Sequence, residues 1–141
     1  MNFEDFIQKG HVRRSTPDKA LAKSLISAAE QDLKFLKTLK LDDYSARKIM
    51  TNYYDVLRSI LEAITSLEGY KVYSHEAFTY FLKDKREDLL AEKFDRFRKI
   101  RNKINYYGKS ISAGEVKEHI SQIIQLIEGL KSKYLNKIWF Y

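Results

Sequence analysis

The sequence predicts an all-α protein, an up-and-down antiparallel four-helix bundle with a short extra N-terminal helix. Three observations lead there. Apolar residues recur three and four apart through nearly the whole chain, the period of one helix face. A single proline, Pro17, and five glycines leave too little turn chemistry for a sandwich or barrel. The 141 residues, 44% hydrophobic and 13% aromatic, suffice for one core and predict a single domain over 1–141, with 1–15 as a lead segment. No repeat, low-complexity tract or linker divides it.

The lead, Phe3 to Lys9, is a short amphipathic helix ending at Gly10, which suits a left-handed C-cap. The first long helix starts near Thr16-Pro17, a cap residue with proline at the first helical position. Ala22, Ile26, Ala29, Leu33 and Leu36 form its stripe, and it ends around Lys40, before a Leu41-Asp42-Asp43 loop that supplies a fresh N-cap. The second helix carries Ile49, Tyr53, Val56, Ile60, Ala63 and Leu67, with a parallel ridge through Met50, Leu57, Leu61 and Ile64. Two adjacent ridges face several neighbours, so this helix is central, and Gly69 stops it. Ser74 caps a short helix containing Ala77, Phe78, Phe81 and Leu82, and the charged stretch Lys83 to Asp88 marks a bend. The next helix carries Leu90, Phe94, Phe97, Ile100 and Ile104 and ends by Gly108. Ser112 and Glu115 open the last as a capping box, followed by Val116, Ile120, Ile123, Ile127, Leu130 and Tyr134.

Zero cysteines exclude a disulfide framework, a thiolate metal site and a cysteine nucleophile. No apolar run approaches the roughly 18 residues of a membrane span, and the N-terminus has no secretory pattern. The expectation is a soluble cytoplasmic protein with no membrane partner, no metal and no cofactor. Its many aromatics, including the terminal Trp139, Phe140 and Tyr141, predict an apolar face that a second copy covers.

The net charge of +7 is concentrated. Lys93, Arg96, Arg98, Lys99, Arg101, Lys103 and Lys109 stand against Asp95 alone, so one stretch holds nearly the whole surplus. Such a field favours nucleic acid, nucleotides or an acidic protein surface, although a charge run also serves simply to solvate a helix face. Arg101 lies about 40° from Phe97, at the edge of the buried stripe, with Asn105 one turn on and Asn102 beside Tyr106. A stripe-edge arginine needs a partner. Two readings stay open: a salt bridge to a carboxylate on another helix, or a guanidinium held ready for phosphate with amides and phenols around it. On a straight helix Arg101 and Tyr106 lie about 140° apart, so sharing a face calls for a loosened helix near Tyr106. Of three histidines, His11 lies in a basic connector, His119 has no chelating neighbour, and His75 beside Glu76 has an acid–base neighbour at a helix start.

The run Ile100-Arg101-Asn102-Lys103-Ile104-Asn105-Tyr106-Tyr107-Gly108, with Gly69 to Ala77 upstream and Tyr54-Asp55-Val56-Leu57-Arg58 on the second helix, resembles the HEPN family, its archaeal members in particular. The resemblance covers about residues 10–135. It implies a dimerising helical bundle that binds RNA or nucleotides, or a metal-independent ribonuclease toxin partnered by a minimal nucleotidyltransferase. By family motif, Arg101 matches the arginine and Asn102 the polar residue after it, while Tyr106 stands where a histidine is expected. A phenol of pKa about 10 accepts a proton poorly near neutrality, so the resemblance favours a binding module over an enzyme. Arg101, Asn102 and Tyr106 are the catalytic candidates; Arg98, Arg101, Lys103, Asn105, Tyr107, Lys109 and His75 are the binding candidates. A protein-interaction module with a basic cleft is the third reading.

Overall fold

The computed structural model of the chain describes residues 1–138. Six α-helices make up most of it: α1 (Phe3–Gln8), α2 (Lys19–Lys37), α3 (Ala46–Leu67), α4 (Glu76–Asp84), α5 (Asp88–Tyr107) and α6 (Ala113–Leu130), followed by one π-helical turn at Lys131–Leu135. A two-stranded antiparallel ribbon, β1 (Val12–Arg14) with β2 (Tyr70–Val72), pairs Val12 with Val72 and Arg14 with Tyr70. Trp139, Phe140 and Tyr141, part of the expected dimer face, lie outside the described residues.

The stripes are buried as the periodicity predicts. Ala22, Ile26, Ala29, Leu33 and Leu36 bury one face of α2, and both α3 ridges are buried together with Tyr54, except for Leu67, which is half-buried. Helix α3 packs on α2, α5, α6 and the ribbon, which makes it the central element. Each large apolar side chain withdrawn there from water contributes about 1.5–3 kcal/mol. Phe94, Phe97 and Ile104 of α5 and Val116, Ile123, Ile127 and Leu130 of α6 join the same cluster, as do Phe3 and Phe6 of α1.

Several boundaries differ from expectation. Helix α2 begins two residues late, because the Asp18 carboxylate accepts the Leu21 N–H at 2.9 Å while Ser15 and Asp18 donate their own N–H groups to Gly69 and Ser66. It ends at Lys37, where the Thr38 hydroxyl bonds to the Phe35 carbonyl. Asp42 caps no helix; it accepts the N–H groups of Tyr44 and Ser45 in a turn, and Ser45 precedes α3 without a side-chain cap. His75, not Ser74, is the N-cap of α4. The Ser112–Glu115 pair is half a capping box: Ser112 Oγ accepts the Glu115 N–H, but the Glu115 carboxylate takes the Ser112 hydroxyl instead of its backbone amide. Gly69 (φ +84°) and Gly108 (φ +63°) end α3 and α5 as expected.

Candidate functional site

Thr51, Tyr54, Asp55 and Arg58 follow one edge of α3, and Arg98, Arg101 and Asn105 follow the facing edge of α5. The two helices run in opposite directions, since Thr51 meets Asn105 while Tyr54 meets both Phe94 and Arg101. Half-buried polar side chains are thereby gathered along a seam whose floor is apolar.

Arg101 is the centre of the cluster. Its guanidinium lies 5.6 Å from the centroid of Tyr54 and 5.8 Å from that of Tyr106, a stacking worth about 0.5–2 kcal/mol. Its Nε is buried and has no hydrogen-bond partner among the described residues. Nor, among the described residues, does Arg101 form the salt bridge that would make it purely structural; Asp55 feels its charge but lies beyond ion-pair distance. An arginine fork held near two rings with an unmet donor is prepared for an anionic oxygen. Tyr106 reaches Arg101 without the loosening expected of the helix: α5 stays α-helical through Tyr107, and the long arginine arm spans the angular gap.

His75 enters from the start of α4. Its Nδ1 lies 3.1 Å from the Tyr54 hydroxyl. Burial, and then the charges of Arg58, Arg101 and Arg98, push its pKa down to about 4, so the imidazole is neutral near pH 7. Burial also raises the Tyr54 phenol and the Asp55 carboxyl above their ordinary values, with Arg101 opposing both. Arg58 is held by Glu62 at 2.8 Å and Arg98 by Asp95 at 2.8 Å, so of the three cations Arg101 alone lacks a direct carboxylate.

The other expected residues divide. Asn102 is half-buried, and its side chain makes no hydrogen bond among the described residues. Asn105 accepts from the Thr51 hydroxyl at 3.3 Å. Tyr106 and Tyr107 are 70% and 82% exposed. Lys103 and Lys109 do not join Arg101: Lys103, two residues on, lies about 200° around the helix, Lys109 follows the end of α5, and both line another hollow of about 130 Å³ with Ile104 and His119. Arg98, expected free for ligand, is tied to Asp95, which also binds Thr79 and Lys99. Sequence reading did not single out Tyr54, Asp55 and Arg58 as site residues. The usable signal was polar residues three and four apart along the rim of the α3 stripe.

Among the described residues no helix is long and apolar enough to cross a membrane. Compared with protein-family models, curated proteins and solved structures, the chain matches none of them.

Proposed function

We propose that the chain is a binding module for the phosphates of RNA or nucleotides, centred on Arg101. One observation carries this reading: a guanidinium near the rings of both Tyr54 and Tyr106 whose buried Nε has no hydrogen-bond partner, and which forms no ion pair, among the described residues. The excess of basic residues on α5 draws anions toward it. The resemblance to HEPN domains supports the same reading and extends it to an antiparallel four-helix arrangement, a homodimer in the cytoplasm and a minimal nucleotidyltransferase as partner.

The test is RNA binding as a function of salt. Affinity falls steeply with ionic strength as displaced counterions are released. Arg101→Ala weakens binding by about 1–3 kcal/mol while circular dichroism stays unchanged. Salt-insensitive or undetectable binding by the intact protein removes this reading in favour of an acidic protein partner.

A second reading, metal-independent cleavage of RNA, is favoured by His75. A neutral imidazole among three arginines is in the protonation state a general base needs, and a bound phosphate would offset the positive field and raise its basicity. Cleavage in chelator that both Arg101→Ala and His75→Gln abolish establishes the ribonuclease. Enhanced cleavage by Tyr106→His, which restores the family spacing, adds to it.

A further inference from the structure

We infer that the site continues past Asn105 into a second anion subsite beside Arg47 and Lys48, and that the ligand is a single-stranded oligonucleotide spanning both. This rests on the phosphate-binding reading above and adds to it a place and a length.

Beyond Asn105 the seam opens into a hollow of about 360 Å³ between the first turn of α3 and the last turn of α5, lined by Arg47, Lys48, Thr51, Ile104 and Asn105. Ile104 is buried and forms an apolar floor. The Thr51 hydroxyl occupies the Asn105 carbonyl, which leaves both amide N–H groups of Asn105 to donate elsewhere. Arg47 and Lys48 are exposed and neither forms an ion pair among the described residues. Ser45 gives α3 no side-chain cap, so the positive end of the helix dipole adds to the same field.

The two subsites share Asn105 and one helix edge. Arg47 to Arg58 spans about 16 Å at ~1.5 Å per residue, the length of four or five stacked nucleotides at ~3.4 Å each. A mononucleotide fills one end of such a track. Asp55, between the ends, is the carboxylate a strand must skirt, and Arg101 and Arg58 act on it. Exposed phenol rings stand at this same end of the molecule. Tyr106 and Tyr107 close α5, and Tyr44, 99% exposed, follows Asp43, whose carboxylate accepts the Ala113 N–H at 2.8 Å and ties this loop to the start of α6. Cations that track a backbone beside open aromatic faces are the elements of single-strand binding, where unpaired bases stack. A duplex keeps its bases stacked inside and leaves these rings unused.

The experiment compares a labelled single-stranded 12-mer of uridylate with uridine monophosphate, using wild type, the double variant Arg47→Gln/Lys48→Gln, and Arg101→Ala. Both glutamines are exposed and leave the core intact, which circular dichroism checks. Removing two phosphate contacts lowers the salt slope for the 12-mer by about 1.4, so the affinity lost between 50 and 200 mM salt shrinks about sevenfold relative to wild type. Monophosphate affinity stays within about twofold in the double variant and is lost in Arg101→Ala. A double variant with the wild-type slope overturns the second subsite while the Arg101 reading stands. Equal affinity of wild type for the 12-mer and the monophosphate overturns it as well. Equal affinity for a duplex 12-mer overturns the single-strand assignment. Wild type that binds neither probe overturns the subsite and the underlying reading together.

Discussion

The cluster around Tyr54 makes a titration prediction. His75 packs against Tyr54 and Phe78 and feels Arg58 of α3 and Arg98 and Arg101 of α5, all of which oppose its protonation. The unfolded chain therefore binds this proton more readily than the folded one. The stabilising effect is complete above the ordinary value of about 6.5 and is lost as pH falls toward about 4. His119, lowered by burial, adds in the same direction; Asp55, raised by burial, acts against it, and the lowered carboxyls Asp95 and Asp42 act only below about pH 4. Denaturant midpoints should drop between pH 7 and pH 5, and His75→Gln should flatten that drop without removing it. A His75→Gln profile with the same slope as wild type would contradict the burial of a neutral imidazole. Arg101 was legible in the sequence as a stripe-edge cation needing a partner. Its surroundings were not, because Tyr54 and His75 are brought to it by long-range packing that no local spacing encodes.

At the scale of elements, the helices were legible and the joints were not. Stripes on α2, α3, α5 and α6 have the helical period and bury most of their residues, with Leu67, Leu90, Ile100 and Ile120 only half-buried at their edges. The ribbon was missed because three residues, Val12–Arg14 or Tyr70–Val72, are too short for an alternating pattern to register. The start of α2 was misplaced because Ser15 and Asp18 are bonded to the distant end of α3. Gly69 concentrates the consequence of that docking: a Cβ there would lie 2.6 Å from the Ser15 carbonyl oxygen, at a backbone φ of +84°. Gly69→Ala should cost about 1–3 kcal/mol. Gly129 in α6 has nothing among the described residues within 4 Å of its missing Cβ, so Gly129→Ala should stabilise by about 0.5–1 kcal/mol. Thermal unfolding of the two variants reads opposite shifts; equal shifts would show that the Ser15 contact places no steric demand on Gly69.

For the whole molecule, the dominance of helix was predicted by composition and period together, and the placement of α3 at the centre by its double ridge. How many copies work together is a separate question of surface. Phe35 is 60% and Leu89 63% exposed, large apolar groups that a lone chain leaves in water. Light scattering at tens of micromolar should give about twice the 16.7 kDa of one chain. A mass of one chain would sink the dimer and confine the proposed track to residues of a single copy.

The ribbon has a consequence for how the chain is made. Val12–Arg14 leaves the ribosome several seconds before Tyr70–Val72, at roughly 5–20 residues per second. Until then it is an unmatched strand edge, the kind of surface that recruits another nascent chain. Two of its three residues, Arg13 and Arg14, are exposed arginines; Arg14 pairs with Glu4 of α1 at 2.8 Å, which among the described residues leaves Arg13 as the unbalanced charge. Identical segments on neighbouring chains therefore repel one another throughout the wait, and the edge stays open for the one partner that arrives on the same chain.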